Sequence, residues 1–147
     1  MLVQFNIKET FKNPFISINA DQNTPQLKQL AVSIENLTNH SHIKGYVNGR
    51  QTIIPLYAVI GFHTEGKSVV CQTIEESYKI KNRIYELNRF LPDDAFIQIS
   101  SSEILNISSI KRLSLTKNGI YQIDLITGNS TYTSRRFMKK LRRELLQ

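Results

Sequence analysis

From residue 110 to the carboxyl end the apolar positions change period once, and the change divides the segment. Leu113 and Leu115 alternate with Ser114 and Thr116, and Tyr121, Ile123 and Leu125 alternate with Gln122 and Asp124. Alternation with period two is the pattern of a half-buried strand. Asn118-Gly119 and Thr127-Gly128-Asn129 supply turns, and Tyr132 falls in a third strand. Ile110 to Ser134 therefore predicts a three-stranded meander, with Tyr121 and Tyr132 at inward positions. After Ser134 the spacing becomes helical. Phe137, Met138, Leu141 and Leu145 share one side and Arg136, Lys140 and Arg143 another, with Ser134 expected to cap the helix.

Earlier segments are shorter and more mixed. Leu2 to Lys8 and Phe15 to Asn19 read as strands, with a turn at Lys12-Asn13-Pro14. Thr24-Pro25 opens a helix, with Leu27, Leu30, Ala31, Ile34 and Leu37 on one face. This N-terminal β-β-α unit is too small to hold its own core. Asn48-Gly49 marks a hairpin. Gln51 to His63 is extended, with Pro55 at an edge or bulge. Thr64 to Lys67 is a turn, Ser68 to Thr73 a strand and Glu75-Glu76 another turn. Ile80, Ile84, Leu87 and Leu91 lie on one helical face that Pro92 ends. Ala95 to Ile99 is a strand, Ser100 to Ser102 a loop, and Ile107 to Ile110 a tight turn. The expected fold class is mainly β with a few short α-helices and a C-terminal basic helix. The expected division is an extension over 1–40, a candidate dimerisation element whose apolar helix face its own sheet could equally cover, and a domain over 43–147.

Charge sharpens this picture. Residues 1–100 carry ten Lys or Arg against nine Asp or Glu, while residues 101–147 carry nine against three. Six of the ten residues from Ser134 to Arg143 are basic. A meander delivering a cationic helix suits a polyanion, with duplex DNA the first candidate and a solvated helix face the plain alternative. Cys71 is the only cysteine, which excludes an intrachain disulfide and suits a small core residue. The N-terminus lacks the features of a signal peptide. The greasiest stretch, Ile53 to Phe62, is half the roughly 20 residues that a spanning helix needs. A soluble, cytoplasmic protein is expected.

Enzymatic chemistry finds little support. There is no Gly-rich phosphate loop, nucleophile elbow or metal-ligand cluster. His40 and His42 stand two apart in a polar link, where a solvated link outweighs weak metal binding. His63 is alone beside a turn, and Asp93-Asp94 after Pro92 suits turn geometry. No cofactor is expected, and a nuclease built on Asp93, Asp94 and His63 is the remotest reading. Ser134, Arg135 and Arg136 combine a hydroxyl with two guanidinium groups, which suits phosphate contact and the reading of guanine.

Two stretches resemble a known family. Phe96 to Asn106, then Ile110, Gly128 and Tyr132 to Leu141, look like the LytTR-type DNA-binding domain of bacterial transcription regulators. Tyr57 to Val69 resembles that family's earlier strand-turn-strand. The resemblance covers about residues 43–145. It implies short sheets with little helix, and loops rather than a recognition helix placed in successive major grooves of a bent duplex. Three contact positions carry over, to Lys67, Ser101 and Arg136. Ser100 falls where many members have His, so Ser100, Ser101 and Ser102 form a loop with smaller side chains than usual. The expected affinity moves to Lys67, Arg135, Arg136 and Lys139, with Ser134 and Lys140 beside them. Asn106 matches a family Asn and reads as a side chain pinning its own turn. The resemblance implies a homodimeric regulator on double-stranded DNA, without a receiver domain or membrane insertion. It also admits a membrane-protein inhibitor by analogy. A protein-interaction module that binds DNA weakly is the alternative.

Overall fold

A computed structural model of the chain describes residues 4–11, 15–39 and 42–146, the side chains of 37–39 excepted. The chain divides into two compact units, residues 1–37 and 38–147.

In the first unit, helix α1 spans Pro25–Asn39. Thr24 Oγ1 accepts the Leu27 amide at 3.3 Å, so the expected cap forms. Leu27, Leu30, Ala31 and Ile34 are half-buried along one face, and Leu37 lies outside the described side chains. The two expected strands are not found among the described residues. Residues 4–8 and 15–19 pair with no strand, and Phe5 and Ile7 are 84% and 89% exposed. Alternation marks a strand only where a neighbour satisfies its backbone groups. Residues 1–3 and the turn expected at 12–14 lie outside the described residues.

The second unit is built on a seven-stranded sheet in which every pair is antiparallel. Its strands are β1 (His42–Val47), β2 (Arg50–Pro55), β3 (Val59–Glu65), β4 (Ser68–Thr73), β5 (Ser77–Ile80), β6 (Phe96–Ser100) and β7 (Glu103–Asn106). Their order is β2-β1-β5-β4-β3-β7-β6. Pro55 ends the edge strand β2, where a missing N–H costs no ladder bond. Helix α2 (Ile84–Phe90) follows β5, so Ile80, Ile84, Leu87 and Leu91 are all buried although Ile80 belongs to a strand.

A second, three-stranded sheet holds β8 (Ile110–Leu115), β9 (Tyr121–Leu125) and β10 (Ser130–Tyr132), the meander read from the sequence. A 3₁₀ turn over Arg135–Phe137 leads into α3 (Met138–Leu145).

Both faces of the large sheet are buried. Ile104 and Leu105 are neighbours in β7, so their side chains leave on opposite faces. Ile104 joins Phe62, Cys71 and Leu87 in one cluster. Leu105 joins Ile60, Ile97 and Ile99 with Ile123 of β9 and Leu141 of α3 in the other. A Cβ on Gly61 would stand 2.7 Å from the Ile104 carbonyl, so the approach of β3 to β7 requires glycine there. Cys71 is a core residue as expected, and burial pushes its thiol up to about 12. Asn106 is buried. Its Nδ2 donates to Val59 O at 2.9 Å and its Oδ1 accepts the Ser108 amide at 3.0 Å, which pins the 3₁₀ turn after β7.

Asp124 ties the small sheet together. Its carboxylate accepts Arg112 Nε of β8 at 2.9 Å, Gln122 Nε2 at 2.9 Å and Ser130 Oγ of β10 at 2.7 Å. Those hydrogen bonds, that from Gln122 first, hold its carboxyl down at about 2. Among the described residues no helix is long and apolar enough to cross a membrane.

Candidate nucleic-acid interface

Lys67 owes its place to a two-residue hairpin. Gly66 and Lys67 join β3 to β4, and Gly66 takes φ +61, which suits the first central position of a tight hairpin turn. Lys67 therefore stands exposed at the tip. Ser101 sits at the next hairpin, between β6 and β7. The two turns are joined where the Thr64 amide donates to Ser102 O at 2.9 Å.

The serine loop braces itself. The Ser102 amide donates to Ser100 Oγ at 3.2 Å, and Gln98 Nε2 donates to Ser100 O at 2.9 Å. Ser100 and Ser102 thus shape the turn, while Ser101 is left to line the surface beside it.

Arg136 reaches the same place from the other end of the chain. The Ser134 amide donates to Ile99 O at 3.0 Å, which stitches the segment after β10 to β6. Thr133, buried, accepts the Tyr121 amide through Oγ1 at 3.0 Å. Thr131 Oγ1 donates to Glu103 Oε2 at 2.6 Å, linking β10 to the strand that leaves the serine loop. Burial raises the Glu103 carboxyl above its ordinary value, while the Thr131 hydrogen bond and His63 pull it down. These links fix the arginine-bearing segment against the loop.

Lys67, Ser101 and Arg136 consequently line one open depression of about 450 Å³. The distances in sequence are large, so only the fold brings them together. Arg83, Tyr85 and Gln98 line it too. No Asp or Glu lies among the lining residues. A second surface depression, lined in part by Arg50 and Glu76, is balanced in charge. Arg136 lies 5.7 Å from the Phe137 ring centroid, and among the described residues no carboxylate is within ion-pair reach of it or of Lys67.

Other sequence-predicted residues fall elsewhere. Arg135 and Lys139 are exposed and Lys140 is half-buried, and none of the three lines the depression. Ser134 makes no side-chain cap, because a 3₁₀ turn precedes α3 and its carbonyl accepts the Phe137 amide instead. Tyr121 is half-buried against the core, but Tyr132, expected inward, is 52% exposed at the end of the short edge strand β10. His40 lies outside the described residues, and His42 is exposed. Among the described residues, no group of three His, Cys, Asp or Glu could hold a metal. Arg83, Tyr85 and Gln98 were missed because nothing local distinguishes them from ordinary polar surface.

The profile of the LytTr DNA-binding domain matches residues 49–146. The chain belongs to the LytTR DNA-binding family. An uncharacterized HTH-type transcriptional regulator of Staphylococcus aureus strain MSSA476 is 34% identical over 140 residues, covering 95% of this chain and 93% of that protein. A counterpart from the bovine strain RF122 is 33% identical over the same shares. Among solved structures, a LytTr DNA-binding domain from Bacillus cereus superposes with a TM-score of 0.69 at 20% identity, covering 71% of this chain and 96% of that one. It shares the LytTR fold. The relatives' names say HTH-type, yet in this LytTR chain strands separate α1 from α2 and α2 from α3, so no two described α-helices are consecutive.

Proposed function

We propose that this LytTR protein is a sequence-specific transcription regulator that grips double-stranded DNA through the face holding Lys67, Ser101 and Arg136. The observation that carries this reading is the convergence of three distant segments on one cationic, carboxylate-free surface. The β3–β4 hairpin, the serine turn and the start of the α3 segment enter successive major grooves. Lys67 clamps phosphate and Arg136 reads a base edge, with Arg135 and Lys139 as outlying phosphate contacts. The affinity is electrostatic in large part. Neutralising about four to six phosphates gives a slope of log K against log[salt] of roughly −4 to −5.

Selection from a randomised duplex pool by the unmodified chain tests the reading. Recovery of a repeated motif supports it, and recovery of no motif overturns it. The same experiment weighs the alternative of a protein-interaction module. That alternative is favoured by the small, internally bonded serines where bulkier readers are usual.

The regulator acts in the cytoplasm as a homodimer, with the apolar face of α1 as the dimer surface. Removing residues 1–40 and measuring mass in solution tests that surface. A folded monomer is expected, and a truncated chain that remains dimeric contradicts it.

A further inference from the structure

We propose that Arg83, at the entry to α2, is a further phosphate clamp working beside Lys67, so that the DNA contact extends onto α2. This rests on the DNA reading above and adds an element that neither the charge run nor the family positions indicated.

Arg83 is exposed and lines the same depression as Lys67 and Arg136. Its Nη1 lies 3.4 Å from the Lys67 carbonyl oxygen, which sets the guanidinium beside the hairpin tip. A guanidinium carries five N–H donors, so that long contact leaves most of them for a ligand. The nearest acid in sequence is already engaged, because Glu86 Oε2 accepts the Arg83 backbone amide at 2.8 Å. No carboxylate among the described residues pairs with the Arg83 side chain.

The support beneath it is rigid. Ile84 and Leu87 are buried in the core, so the start of α2 is held against the large sheet. Tyr85 follows, 61% exposed and lining the same depression, with the Arg89 guanidinium 5.7 Å from its ring centroid. The depression thus presents Lys67, Arg83 and Arg136 with no acid among them. A surface arginine is ordinarily solvated and contributes little. This one differs because a backbone carbonyl orients it next to a cation already aimed outward. Both cations line one depression, so a phosphate there can accept from each. A backbone phosphodiester is the committed ligand, since Arg83 braces a hairpin tip rather than reaching past it.

The test uses the full chain, a duplex enriched from the randomised pool and a scrambled duplex of equal length, titrated at several salt concentrations. Arg83→Ala is expected to weaken both duplexes by the same factor, roughly fivefold to tenfold near 0.1 M salt, and to make the salt slope shallower by about one. Arg83→Lys should restore most of the slope, and the thermal midpoint should not move. If Arg136→Ala loses binding while Arg83→Ala keeps the parent affinity and slope, the α2 contact is overturned and the DNA reading stands. Loss confined to the enriched duplex overturns the phosphate role. If neither variant differs from the parent, both readings fall.

Discussion

Arg112 and Arg136 are both cations of the basic last third, yet the fold treats them oppositely. Arg112 lies in β8 with its Nη2 2.9 Å from Asp124, whose other oxygen takes Gln122 and Ser130. That guanidinium is spent on a carboxylate that links all three strands of the small sheet. Arg136 has no carboxylate in reach among the described residues and lines a depression with Lys67 and Ser101. The contrast teaches that a net charge does not locate an interface. The proposed interface rests instead on the cations that the fold leaves unpaired and brings together from distant segments.

The largest expected effect tests whether the Arg136 segment depends on the core below it. Leu141→Ala removes a side chain with no exposure and should cost about 2–5 kcal/mol of stability, read from urea unfolding. Below its unfolding midpoint the variant should bind DNA as the parent does. A loss of binding in the folded variant would make α3 packing part of the contact itself.

Arg136→Ala comes next. It should cost about 1–3 kcal/mol of discrimination between the enriched and scrambled duplexes, without moving the unfolding midpoint. Equal weakening on both duplexes would reduce Arg136 to a phosphate clamp.

A smaller effect belongs to the paired region. Asp124 has a folded value of about 2 against an ordinary 3.8, so its contribution to stability is present above the ordinary value and is lost as pH falls toward about 2. Asp124→Asn should flatten the acid side of the stability profile in that window and leave DNA affinity at neutral pH unchanged. Glu103 has the opposite sign. Its raised carboxyl stabilises most below its ordinary 4.5 and loses that contribution as pH rises through its folded value. The smallest effect is that of Ser101→Ala, within about 0.5 kcal/mol of parent affinity. A loss greater than tenfold would show that the serine turn reads bases after all.

Much of the second unit was legible because its signals are local. The alternation from Leu113 to Leu125 gave the meander, Asn48-Gly49 gave the β1–β2 hairpin, and Pro55 marked an edge strand. The errors came where a distant partner decides. Residues 4–8 alternate but pair with no described strand, and Ser134 spends its amide on Ile99 instead of opening a capped helix. Tyr132 pairs with Gln122, which puts it on the polar face of the small sheet, opposite to Ile123. The family's motifs pointed to Lys67, Ser101 and Arg136, and the fold sets all three around one depression. No motif pointed to Arg83, whose link to that depression is a contact with a carbonyl sixteen residues away.

The most direct test is a paired titration of Arg136→Ala and Arg112→Ala against the same enriched duplex at one salt concentration. The variant of the unpaired arginine should lose about fivefold or more in affinity. The paired one should bind as the parent does while melting at a lower temperature. Equal losses in the two variants, or parent affinity in Arg136→Ala, would contradict a DNA contact made by the unpaired face.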